Sequence, residues 1–114
     1  MKTLEQVRLT PSQQQALVEL RRRLTDAFDI EEIVLFGSVV RGDADEESDL
    51  DLLITTKVPL SRIVRHQITD IVCEINLQFD TNLSSLVVDS ASWQTGMFSI
   101  LPIHNEILRE GVSL

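Results

Sequence analysis

Leu35-Phe36-Gly37-Ser38-Val39-Val40-Arg41-Gly42, followed by Ser48-Asp49-Leu50-Asp51-Leu52-Leu53-Ile54, is the most informative part of the chain. The first half ends an apolar run in a glycine, a serine and an arginine, and the second opens another apolar run with carboxylates at alternate positions. Successive side chains of a strand point to opposite faces, so Asp49 and Asp51 share one face while Leu50 and Leu52 share the other. Carboxylates held side by side repel and raise each other's pKa unless a cation sits between them. A hard divalent ion such as Mg2+ or Mn2+ suits that pair. A charged edge strand would also carry acids, but Leu50, Leu52, Leu53 and Ile54 mark a mostly buried strand, where acids need a cationic partner. Asp49 and Asp51 are therefore candidate metal ligands.

The preceding turn supplies complementary chemistry. Gly37 lets the backbone turn tightly and approach a ligand with no side chain in the way. Ser38 offers a hydroxyl and an amide at the start of a short helical turn, where phosphate is favoured. Arg41 can add a charge-assisted fork to the same anion, or pair instead with Asp43 or Asp49. The arrangement suits a Mg-bound nucleoside triphosphate.

Gly37-Ser38, Arg41-Gly42 and Ser48-Asp49-Leu50-Asp51, in that order, resemble the signature of the minimal nucleotidyltransferases of the DNA polymerase β superfamily. The likeness extends through the helix before the signature, the long helix after it and the terminal Arg109-Glu110-Gly111. It implies a polymerase β-like nucleotidyltransferase fold, with residues 1–114 as one domain. In that fold class, α/β (α+β), helices cover a small mixed sheet. The resemblance implies Asp49 and Asp51 as catalytic and metal-binding residues, and Gly37, Ser38, Arg41 and Ser48 as nucleotide-binding residues. Active members usually carry a third carboxylate on the next strand. The matching strand here, Leu83-Ser84-Ser85-Leu86-Val87-Val88, holds serines in its centre, with Asp80 before its start and Asp89 at its far end. The implied activity is Mg-dependent transfer of a nucleoside monophosphate, AMP from ATP, to an acceptor hydroxyl that the residues do not identify. The same resemblance implies a rival: the antitoxin half of a two-gene toxin–antitoxin pair, which caps or adenylylates a helical nuclease. A partner protein or a second copy of the chain, as a homo-oligomer, would then supply the acceptor surface. A fold that binds nothing is the third alternative.

Composition narrows the partners. The 18 acidic and 10 basic residues give a formal net charge of -8, which repels a nucleic-acid backbone. A single Mg-complexed nucleotide stays compatible, because the ion offsets the ligand charge locally. The apolar runs fall far short of the ~20 residues that span a bilayer, and the start, Met1-Lys2-Thr3-Leu4-Glu5-Gln6, lacks a signal-peptide core. The lone cysteine, Cys73, forms no internal disulfide and lies in an apolar helical pattern, where a buried small hydrophobe is expected. A cytoplasmic protein is the expectation.

Around the signature, Thr10-Pro11-Ser12-Gln13 reads as a helix start with a capping box, and Ala16, Leu17, Leu20, Leu24, Ala27 and Phe28 continue at helical spacing. Arg21-Arg22-Arg23 falls on the polar side of that helix as a solvated face. Ile33 to Phe36 reads as a short buried strand and Leu50 to Thr55 as the next. Between them, Asp43, Asp45, Glu46 and Glu47 read as a solvated loop, since a calcium loop starting at Asp43 would need glycine at Ser48 and glutamate at Ile54. Ser61 caps a helix to about Phe79 with a stripe of Ile63, Ile68, Ile71, Val72, Ile75 and Phe79, leading to the strand Leu83 to Val88. Ser92 is a candidate cap for further helix, Pro102 opens a last one and Gly111 closes it. Trp93 reads as an anchor for these helices, His66 and His104 as packing or surface residues, and Arg62 and Arg65 as solvated or within reach of a nucleotide.

Overall fold

Thr10 opens helix α1 (Pro11–Ala27) through the expected reciprocal box. Its hydroxyl accepts from the Gln13 amide at 3.1 Å, while Gln13 Oε1 accepts from the Thr10 amide at 2.9 Å. Ala16, Leu17, Leu20 and Leu24 form its buried stripe, and Arg22 and Arg23 point outward to pair with Glu19 and Glu74. The computed structural model describes residues 3–42 and 49–114, so the acidic loop at Asp43, Asp45, Glu46 and Glu47 lies outside the described residues.

After α1 come β1 (Ile30–Phe36), α2 (Ser38–Arg41), β2 (Leu50–Thr56), α3 (Arg62–Phe79), β3 (Leu83–Asp89), α4 (Ser90–Gln94), α5 (Pro102–Glu110) and β4 (Val112–Ser113). The sheet is mixed, in the order β3-β2-β1-β4. β1 runs antiparallel to β2 and β4, and β2 parallel to β3. The parallel pair requires a crossover, which α3 supplies. No described helix is long and apolar enough to cross a membrane.

Strand alternation divides the core in two. On one face Ile33, Leu35, Leu50, Leu52 and Ile54 pack with α1 and with Ile68, Val72 and Ile75 of α3. On the other, Val34, Phe36, Leu53 and Val88 meet Trp93 of α4 and Ile107 of α5. That second face is thinly covered, and a cavity of ≈ 450 Å³ opens between Thr55, Trp93, His104 and Ser113. Trp93 anchors α4 as expected, with its ring centroid 4.5 Å from that of His104.

Four expectations need correction. Cys73 is exposed rather than buried: the buried positions of α3 are Ile68, Val72 and Ile75, and the residue after Val72 is turned about 100° off that stripe. Ile63 lies at the open start of α3 and is 73% exposed. Asp89, not Ser92, caps α4, accepting from the Ser92 amide at 3.0 Å and the Ser92 hydroxyl at 2.8 Å. β1 begins at Ile30, so it includes the exposed Glu31 and Glu32 and is only half buried.

Urea unfolding checks this division of the core. Leu52→Ala, which empties a fully buried position of β2, is expected to cost about 2–5 kcal/mol. Cys73→Ala is expected to stay within about 0.5 kcal/mol of the wild type.

Candidate active site

Antiparallel pairing brings the end of β1 beside the start of β2, with Phe36 opposite Asp51. The chain leaves β1 at Gly37, whose φ of 88° and ψ of -158° lie in a region reserved almost wholly for glycine. A Cβ at Gly37 would also overlap Oδ2 of Asp51 and lie 3.3 Å from its Cγ. The turn is thus pressed against the carboxylate. α2 follows, with Val39 and Val40 buried and the amides of Val40 and Arg41 donating to the Gly37 carbonyl at 3.1 and 3.3 Å. Ser38, half-buried, opens it, and Gly42 ends it at φ 82°, with no atom of the described residues within 4 Å of where a Cβ would stand.

Asp51 is half-buried on the thinly covered face, while Asp49 stands just before β2 and is exposed. Burial first, then the neighbouring Asp49 charge, holds the Asp51 carboxyl above the ordinary aspartate range; Arg41 pulls the other way, and Glu106 adds to the rise. At Asp51, loss of water therefore outweighs the repulsion from Asp49. Across the parallel pair Ser84 stands beside Asp51. That register is fixed locally: the Leu50 amide donates to the Asn82 carbonyl at 2.9 Å, and Asn76 bonds both the amide and the carbonyl of Leu83, at 2.8 and 3.1 Å. A serine thus occupies the place beside the pair. Asp89 lies opposite Thr56 at the other end of the sheet, its carboxyl held below the ordinary range by Ser92, and Asp80 ends α3 at φ 54°. Among the described residues no group of three or more His, Cys, Asp and Glu side chains is arranged to hold a metal.

Among the described residues the partners of Arg41 lie on α5 rather than at Asp49, and the alternative partner Asp43 lies outside the described residues. Its Nη1 lies 3.2 Å from Glu106 and 2.8 Å from Glu110 of α5. Sequence reasoning missed these two acids: their four-residue spacing puts them on one helix face, but nothing in the sequence says which side chain that face meets. Ser48 lies outside the described residues. His66 and Arg62 are exposed, and Arg65 donates to the Val87 carbonyl at 2.7 Å, tying α3 to β3.

The sequence profile of the nucleotidyltransferase domain family matches residues 17–91. A Methanocaldococcus jannaschii protein bearing a provisional protein adenylyltransferase name is 44% identical over 63 residues, covering 54% of this chain and 43% of the relative. The chain spans less than half of that relative's length. A crystal structure of a toxin–antitoxin with AMP-PNP matches with a TM-score of 0.58 and 17% identity, over 91% of this chain and 72% of that one. A structure of a tri-AMPylated Shewanella oneidensis HEPN toxin in complex with MNT antitoxin matches with a TM-score of 0.55 and 17% identity, over 88% and 69%. At such identities the solved structures show a shared fold.

Two measurements check the geometry. Gly37→Ala is expected to cost more than the roughly 1–3 kcal/mol of backbone strain alone, because the methyl also displaces Asp51, whereas Gly42→Ala carries strain only. Asp51 ionises at higher pH in the folded chain than in the unfolded one, so its contribution to stability is full below the ordinary aspartate value and is lost as pH rises through the folded value. Asp51→Asn should therefore be more stable than the wild type at neutral pH, with the gap closing below about pH 4.

Proposed function

The chain belongs to the nucleotidyltransferase domain family, and on that premise we propose that it transfers a nucleoside monophosphate, AMP from ATP, to a hydroxyl of a partner protein. The reaction is Mg-dependent, with Mn2+ as the alternative ion, and residues 1–114 act as one cytoplasmic domain. The observation that carries this reading is the half-buried Asp51 carboxylate, held against the Gly37 turn with Asp49 close by.

The donor set fits the ion. Mg2+ is usually held by one or two carboxylates and keeps its remaining positions for water and substrate phosphates, so Asp49 and Asp51 suffice as ligands, with Ser84 across the strand pair able to bond a coordinated water. Mg2+ bound there would neutralise phosphate charge and align the group being transferred. The chain's own residues do the rest by placement. Ser38 offers its hydroxyl and amide to the leaving pyrophosphate, and Gly37 lets the phosphates approach the backbone. Arg41 adds positive charge at the rim, and Ser48 precedes the carboxylate pair. In-line attack then follows from positioning and charge compensation.

A second reading is favoured by Ser84, which stands where active members carry an acid. With two carboxylates rather than three, catalysis is weaker and the chain acts chiefly as the antitoxin-like half of a two-gene pair, capping a helical partner. The net charge of -8 supports a protein acceptor over a polynucleotide in either reading.

Thermal unfolding with Mg-ATP tests the site. Ligand at about 100 times its Kd raises native stability by about 2.7 kcal/mol, so the melting temperature of the wild type should rise. Asp49→Ala with Asp51→Ala should abolish that rise. An equal rise in the double variant would reject these residues as the site, and no rise in the wild type would reject the function.

A further inference from the structure

Arg41 closes the same short turn that begins at Gly37, and it meets α5 across the rim of the site. Glu106 and Glu110 share a face of α5 and reach the same nitrogen, Nη1. Between them in sequence, Ile107 is buried with Val34, Phe36 and Leu53, which seats α5 on the sheet face that carries Asp51. The Glu110 side chain is 14% exposed and that of Arg41 43% exposed. The carboxylate is therefore the fixed end of the pair, and the guanidinium the end that reaches solvent. Holding a long arginine side chain in place costs rotamer entropy, and meeting that cost only on binding would weaken its grip on an anion. Arg41 and Glu106 both act on the Asp51 carboxyl, which puts the ion pair and the carboxylate in one electrostatic neighbourhood.

We propose that Glu110, supported by Glu106, is a positioning residue that holds Arg41 at the rim of the Asp49–Asp51 pair, so that an arriving polyphosphate meets an already ordered guanidinium. The inference rests on the nucleotide reading of this site, and it makes α5, which lies beyond the family-matched residues 17–91, part of the site. Glu110 leads because its contact is shorter and its side chain less exposed than that of Glu106, at 2.8 against 3.2 Å and 14% against 41%.

Calorimetric titration of the full chain with Mg-AMP-PNP, in a cycle of Arg41→Ala, Glu110→Gln and the double variant, tests this. Glu110→Gln, isosteric but neutral, is expected to weaken binding about tenfold, Glu106→Gln less, and Glu110→Gln should cost nothing further once Arg41 is alanine. Nitrogen-15 relaxation at Arg41 Nε in nucleotide-free protein gives a readout that general stability does not move: order at Nε should fall in Glu106→Gln with Glu110→Gln. Unchanged or tighter binding in Glu110→Gln, an equal loss with and without Arg41, or unchanged order at Nε overturns the positioning role. If the wild type binds no Mg-AMP-PNP, the nucleotide reading fails and this role falls with it; loss of the role alone leaves wild-type binding intact.

Discussion

A carboxylate kept half out of water at the start of a central strand is the constraint on which the rest of the molecule depends. Asp51 can occupy that place only because β2 is held on both sides, by β1 and β3, and is driven inward by Leu50, Leu52, Leu53 and Ile54. Burial raises the energy of the charged form, and the nearby Asp49 raises it further. Such a group is stabilised by whatever positive charge arrives. The turn at Gly37 follows from the same constraint, since any side chain there would occupy the carboxylate's own space.

Much of this was legible in the sequence. Period-two alternation set Asp51 on the face opposite Leu50 and Leu52 and put β2 in the interior. The Thr10–Gln13 box and the Ser61 cap gave both long helices their starts, because capping is a local matter of three or four residues. Local signals also misled where tertiary contact decides. Cys73 sits in an apolar stretch, yet helical rotation carries it off the buried stripe. Asp89 looked like a misplaced acid and proves to be the last residue of β3 and the cap of α4 together. β4 spans only Val112–Ser113, too short for any periodic signal.

The site is less complete in the sequence than the fold because half of it is assembled at long range. Arg41 stands 65 and 69 positions from the carboxylates of Glu106 and Glu110 that it meets. Ser84 comes beside Asp51 only through the register that Asn76 and Asn82 impose on β3. Motif spacing fixes which residues belong to the turn and the strand; it is silent on which helix lies above them.

The unequal covering of the sheet has a consequence of its own. The side packed by α1 and α3 holds most of the apolar core, while the opposite side carries Asp51, the ion pair and a hollow of ≈ 450 Å³. Changes placed on separate sides share few neighbours, and their energetic effects should add. Thermal robustness and chemistry can therefore drift independently in this molecule, so a lineage or an engineer could harden the packed half without retuning the working half.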